Sequence, residues 1–314
     1  MKRVLAIGAV GLLGFSLLTP TFAQDAMSEM DSMHHSDNHD NHNESKDKKE
    51  KANQLMITPA SNLVAGKPQS LTIQVRSAEG KPIEQFDIQH EKLMHLIIVR
   101  NDLSYFTHIH PESISKGKLQ FTANLPADGQ YTAFADYVPK GAQEQVSTQI
   151  LNVGTGKETT SSPPLTPDVT LSKSVGDLKV SLRLDPKTIK PGQETAVTLD
   201  IKDAAGKPVT DLQPYLGAMG HLVMIEQSPV LTAANYLHAH PQDQKGMAAT
   251  SHSLAQYGQQ SSMAIEHSEQ SKEATATPGQ VTFETVFPKA GIYKLWGQFQ
   301  RNGKVNTANF VVSI

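Results

Sequence analysis

The chain has 314 residues, a formal net charge of −3 and no cysteine. Without cysteine there are no disulfides, no thiolate metal sites, no cysteine nucleophile and no blue-copper centre, which needs a Cys ligand. A near-neutral charge, with no basic patch alternating with aromatics, argues against a nucleic-acid partner.

Residues 1–23 read as a secretory signal peptide. Lys2 and Arg3 form its positive start, Val4 to Leu18 its apolar stretch, and Thr21-Phe22-Ala23 a small-residue cleavage site. The apolar stretch is too short for a membrane span, and no second one follows. A soluble mature protein, periplasmic or secreted, with no transmembrane segment after cleavage, is the expectation.

Residues 24–54 form a tail expected to be disordered, because apart from methionine it is almost devoid of apolar residues. Met27, Met30 and Met33 recur at every third position, followed by His34, His35, His39 and His42 among Asp31, Asp37 and Asp40. Thioethers suit Cu(I) and imidazoles suit Cu(II), Zn(II) or Ni(II). A plain spacer has no use for three spaced methionines, so the tail is expected to gather metal and pass it on.

Residues 55–153 show short alternating runs separated by Gly, Pro and Asp turns, the pattern of an antiparallel sandwich of about seven strands. Within it, Met94 to Pro111 reads as a β-hairpin turning near Asn101 and Asp102. If residues 101 and 104 close the turn, His95 faces His110 and Ile97 faces His108. Side chains alternate along a strand, so His95, His108 and His110 share one face, about 5–8 Å apart. They are a candidate metal shell supplied by one hairpin.

Residues 154–167 are rich in Thr, Ser, Gly and Pro and read as a linker. Residues 168–314 repeat the plan. Gly192 matches Gly66, and Pro288, Gly291, Tyr293, Phe299 and Gly303 match Pro126, Gly129, Tyr131, Tyr137 and Gly141. In the second hairpin His221 again faces His240, with His238 beside it. Met219, two residues before His221, is expected on the same face, making a site of three histidines and a thioether. The first copy has Leu93 there, with Met94 and His90 as nearby candidates. An insertion, 242–278, follows directly and reads as a floppy loop, with a mobile lid over the second site as the alternative. Asp136, in Phe134-Ala135-Asp136-Tyr137, is expected to support a ligand imidazole or to serve the structure, rather than to ligate the ion itself. Its counterpart Gln298 carries no charge. Trp296, Tyr131 and Tyr293 are expected to pack the sandwiches.

The fold expected is therefore all-β: two tandem immunoglobulin-like antiparallel β-sandwich domains behind a disordered tail. Met94 to Glu112 followed by Phe134 to Gly141 resembles exported immunoglobulin-like domains of the YtkA-like type. Gly220 to Ile225 with Tyr236 to Pro241 resembles the second domain of tandem versions. The resemblance covers most of both repeats, but neither tail nor insertion. It implies handling of heavy metals, particularly copper.

Together these readings point to an exported metal-binding monomer that binds, buffers or delivers copper, with zinc as the alternative ion. A membrane metal exporter or an oxidase is the partner expected to receive the ion. An extracellular interaction module with structural histidines is the alternative of another class. No general base converges on the histidines, and Gln24 rather than a histidine begins the mature chain, so no enzymatic activity is expected.

Overall fold

The computed structural model describes residues 52–156, 164–241 and 277–314. The signal peptide, nearly all of the tail, the middle of the linker and the insertion lie outside them, so the structural readings made there are not addressed. Among the described residues no helix is long and apolar enough to cross a membrane.

The first half holds nine strands: β1 (Gln54–Thr58), β2 (Pro68–Arg76), β3 (Phe86–Asp87), β4 (His95–Arg100), β5 (Phe106–Ile109), β6 (Glu112–Ser115), β7 (Lys118–Asn124), β8 (Gly129–Pro139) and β9 (Gln145–Val153). The second half holds β10 (Ser172–Val175), β11 (Leu178–Asp185), β12 (Glu194–Lys202), β13 (Leu212–Gln213), β14 (His221–Glu226), β15 (Tyr236–Ala239), β16 (Gln280–Val286), β17 (Ile292–Arg301) and β18 (Lys304–Ser313). Each half is a sandwich of a four-stranded and a five-stranded antiparallel sheet. In the first, β1-β2-β7-β6 faces β3-β8-β4-β5, with β9 added beside β8. In the second, β10-β11-β12-β16 faces β13-β17-β14-β15, with β18 beside β17. The all-β, tandem immunoglobulin-like architecture is thus as the sequence led us to expect.

The inner faces follow from alternation. In β7 every second residue, Leu119, Phe121 and Ala123, is buried while its neighbours are exposed. These pack on Leu71, Ile73 and Val75 of β2, and on Leu96, Ile98, Tyr131 and Ala133 of the other sheet. Tyr131 and Tyr293 pin equivalent corners: each hydroxyl donates to a carbonyl four residues upstream, Ala127 at 2.9 Å and Lys289 at 3.0 Å.

The strands β4 and β14 behave differently: all six residues of each are buried. A strand buried on both faces reads as a continuous apolar run rather than an alternating one, and Leu96 to Val99 and Leu222 to Ile225 are such runs. Their even-numbered residues of the first copy, Leu96 and Ile98, enter the core of that sandwich. Ile97 and Val99 instead join Val223, Ile225, Phe134, Tyr236 and Trp296 in a third cluster, built from both sandwiches. The five-stranded sheets therefore pack outer face on outer face.

That interface is pseudo-twofold. Phe106 stacks on Trp296 with centroids 4.8 Å apart, and the equivalent pair, Tyr236 on Phe134, stacks at 5.0 Å. Lys294 of the second sandwich crosses to donate to the Leu103 carbonyl at 2.8 Å.

Trp296→Ala should cost about 3–5 kcal/mol, the usual range for removing a large buried aromatic. Urea denaturation should show it as an earlier loss of interdomain packing. Ile88→Ala, at a side chain 72% exposed, should change stability by less than about 0.5 kcal/mol.

Candidate metal centre

The hairpin registers place the histidines. In the first copy Leu96 pairs with Ile109 and Ile97 with His108, which sets His95 against His110. In the second, Leu222 pairs with Ala239 and Val223 with His238, which sets His221 against His240. His95 shares a face with Ile97 and Val99, so its ring points away from its own core, towards the other sandwich. The same holds for His221 beside Val223 and Ile225. Docking the two outer faces therefore brings the two histidine sets together. Each set was expected to form a site of its own; instead both lie in one interdomain chamber. The His95 ring centroid is 5.3 Å from that of His238 and 5.9 Å from that of His221.

Among the described residues there are seven histidines, and all seven join this cluster. His90 enters through its ring, stacked on His240 at 3.7 Å. Two groups have ligand atoms within 4.8 Å of one another: His95, His108 and His110, and His95 with His221, His238 and His240.

The first triad is tight. His95 Nδ1, His108 Nε2 and His110 Nε2 stand 3.1–3.2 Å from one another. Nitrogens bound about 2.0–2.1 Å from a tetrahedral ion lie about 3.3 Å apart, so this spacing is that of a coordination shell. The hydrogen-bond network assigns the tautomers. His95 Nε2 donates to the Gln89 carbonyl at 3.3 Å, which leaves Nδ1 with its lone pair. His108 Nδ1 donates to Gln298 Oε1 at 2.9 Å, which leaves Nε2 with its lone pair. The Gln298 amide is oriented in turn by donating from Nε2 to Thr307 Oγ1 at 3.2 Å. Two lone pairs 3.1 Å apart repel unless a cation lies between them.

The second triad mirrors the first. His221 Nε2 donates to the Tyr215 carbonyl at 2.9 Å, and its Nδ1 is buried without a hydrogen-bond partner. His238 Nδ1 donates to Asp136 Oδ2 at 3.1 Å, and Tyr236 Oη donates to the same oxygen at 3.5 Å. Asp136 and Gln298 are equivalent, paired in register with His95 and His221 respectively. Each thus holds the middle histidine of the other sandwich. The expected support of an imidazole by Asp136 is present, but across the interface.

Burial keeps five of the rings neutral. It drives His95 and His110 down to about 3 and His221 down to about 4, and holds His108 and His240 well below the ordinary imidazole value. Neighbouring rings add to the effect, His108 on His95 and His95 on His110. Neutral imidazole is the form that ligates metal.

The rim of the chamber is made by two tight turns, Gln89 to Lys92 and Tyr215 to Ala218. His90 and Glu91 in one, and Leu216 and Gly217 in the other, adopt left-handed backbone. Gly217 is needed twice over: its φ is +76°, and a Cβ there would meet Glu91 Cγ at 3.2 Å. The two turns therefore touch.

Met219 precedes β14 and is 38% exposed, whereas His221 is fully buried. The strand alternation that was expected to carry it inward begins only at His221. Met94 is buried in the core of the first sandwich, on the opposite face from His95. Leu93 packs against the same core. Met27, Met30, Met33, His34, His35, His39 and His42 lie outside the described residues. Gln298 was noted in the sequence only as an uncharged counterpart of Asp136, and its role in holding His108 was missed. The signal was its register opposite His221, once the outer faces are known to dock.

A family model described as "Domain of unknown function (DUF8832)" matches residues 50–154 and 173–314. Comparison with curated protein sequences gives no match. Among solved structures, a Salmonella alpha-2-macroglobulin is similar at 12% identity and a TM-score of 0.24, over 84% of this chain and 15% of that one. Invasin, described as a bacterial integrin-binding protein, is similar at 14% identity and a TM-score of 0.20, over 82% of this chain and 39% of that one. A tetra-tandem repeat from the extending region of a large adhesion protein is similar at 11% identity and a TM-score of 0.24, over 84% and 49%. The chain thus spans well under half the length of the first two. The family match takes in both sandwiches and both hairpins, and the chain belongs to the family described as "Domain of unknown function (DUF8832)".

Proposed function

We propose that this is an exported, non-enzymatic metal-binding protein whose interdomain histidine chamber holds a transition-metal ion, copper in preference to zinc. The observation that carries the reading is the lone-pair contact of His95 Nδ1 and His108 Nε2 at 3.1 Å, with His110 Nε2 equally close. Three neutral imidazoles at ligand spacing suit copper and zinc alike. The Met27, Met30, Met33 series of the tail and the resemblance to YtkA-like domains favour copper. Export rests on the signal-peptide pattern of residues 1–23. The role this supports is buffering, or delivery to a membrane exporter or oxidase, with the tail collecting ions. The rival reading, an extracellular module in which the histidines only pack the interface, leaves the His95–His108 contact unexplained.

The test is competition titration with Cu(I), Cu(II) and Zn(II). The protein is the full mature chain carrying Ser at the tail's Met and His positions, so that the chamber is read alone. Replacing His95 and His221 together by Ala should remove chelator-resistant metal, at least a hundredfold in affinity, with the β-sheet circular dichroism unchanged. Retention of metal by that variant would move the site elsewhere.

Acid should destabilise the metal-free protein. His95, His110 and His221 titrate in the folded state at about 3, 3 and 4, against about 6.5 when unfolded. Above pH 6.5 both states are neutral and the stability is full. As pH falls below 6.5 only the unfolded state takes up protons, so stability declines until the folded values are reached. The loss is on the order of 1 kcal/mol per pH unit for each such group. Urea midpoints should therefore fall steadily from pH 7 to pH 5, and bound metal should raise them at each pH.

A further inference from the structure

We infer that the chamber is a two-ion site with unequal subsites, and that Asp136 makes the subsite of the second sandwich the tighter one. The inference rests on the metal-binding reading above.

The ligands divide three and three. His95, His108 and His110 come from one hairpin, and His221, His238 and His240 from the other. The pseudo-twofold repeats their outer hydrogen bonds as well, from His95 to the Gln89 carbonyl and from His221 to the Tyr215 carbonyl. His95 belongs to both ligand groups, yet it has one nitrogen to offer, because Nε2 is held by Gln89. It can serve only one ion at a time. A single ion is best held by His95, His221, His238 and His240, a full tetrahedral set. A second ion needs His95 back with His108 and His110.

Inequality follows from one substitution between the repeats. His238 donates to the Asp136 carboxylate, whereas His108 donates to the neutral Gln298 amide. A carboxylate on the outer nitrogen makes an imidazole a stronger donor, and its charge offsets that of the ion. The buried Asp136 is therefore the positioning residue of the second subsite. The first ion settles there. The second enters the first subsite more weakly, since it takes a ligand from the first ion and meets its charge. The first subsite also includes the partly exposed His110, while His221, His238 and His240 are all at least 95% buried. One ion is thus retained and the other is placed for exchange.

The experiment is stepwise competition titration with Cu(I) and with Zn(II). It uses the full mature chain bearing Ser at the tail ligands, with the His95→Ala, His221→Ala double variant as the baseline. Two steps at least tenfold apart are expected for one of these ions. Asp136→Asn, which keeps an acceptor for His238 but removes the charge, should weaken the first step by roughly 10–100-fold and move the second by less than about threefold. Gln298→Glu should strengthen the second step and narrow the gap. It tests the inference by a gain, which holds even if Asp136→Asn folds poorly. A single step above baseline would overturn the two-ion inference while leaving metal binding intact. Two steps moved equally by Asp136→Asn, or a second step untouched by Gln298→Glu, would overturn the inequality. No uptake above baseline would overturn the metal reading itself.

Discussion

The chamber depends on the burial of the outer faces of two five-stranded sheets against each other. A β-sheet in a sandwich has one face committed to its own core, and the other is ordinarily left to water. Here β4 and β14 carry apolar side chains on both faces, and Ile97, Val99, Val223 and Ile225 are buried in a cluster that both sandwiches share. Apolar burial at about 25 cal/mol per Å² drives that docking. The histidines lie on the same faces, one position beyond the apolar residues, and are carried into the interface with them. Their desolvation is tolerable because His95, His108, His110, His221 and His240 are held neutral and several rings have an outer nitrogen anchored to a carbonyl, an amide or a carboxylate.

The two halves repeat one scaffold and differ beside the histidines. The aromatic stacks, the tyrosine corners and the hairpin registers are kept in both copies. At the turn of the first hairpin Arg100 is held by Asp102 and the Asp128 carbonyl. The equivalent residue of the second is Glu226, held by Asn235 and Lys289. The charges are reversed and the anchoring is preserved. Beside the histidines the copies differ more sharply. Met94 fills the core where Gly220 has no room for a Cβ, which would lie 2.7 Å from the Gln298 carbonyl. Asp136 is matched by Gln298, which places a carboxylate beside His238 and a neutral amide beside His108. Such a chamber is electrically lopsided although its scaffold is symmetric.

Strand alternation and turn spacing are local properties, and they were readable in the chain. They set His95 opposite His110 and His221 opposite His240, placed each triad on one face, and marked the two sandwiches and their internal repeat. Met219 shows where local reasoning ends: alternation holds only within a strand, and β14 starts at His221. Cysteine content, the export pattern and the tail's Met and His series are likewise matters of composition, and they bound the chemistry without reference to shape.

What only the tertiary structure decided is that the two triads meet. Hairpin arithmetic says which side chains share a face, but not what covers that face, because nothing local encodes the pairing of residues more than 100 positions apart. The hint was present in the unbroken apolar runs Leu96 to Val99 and Leu222 to Ile225, which mark strands buried on both sides. The crossed contacts of His108 with Gln298 and of His238 with Asp136 arise from docking and have no sequence signature. The sequence alone determined the histidines and their faces; the packing of one sheet on another made them a single chamber.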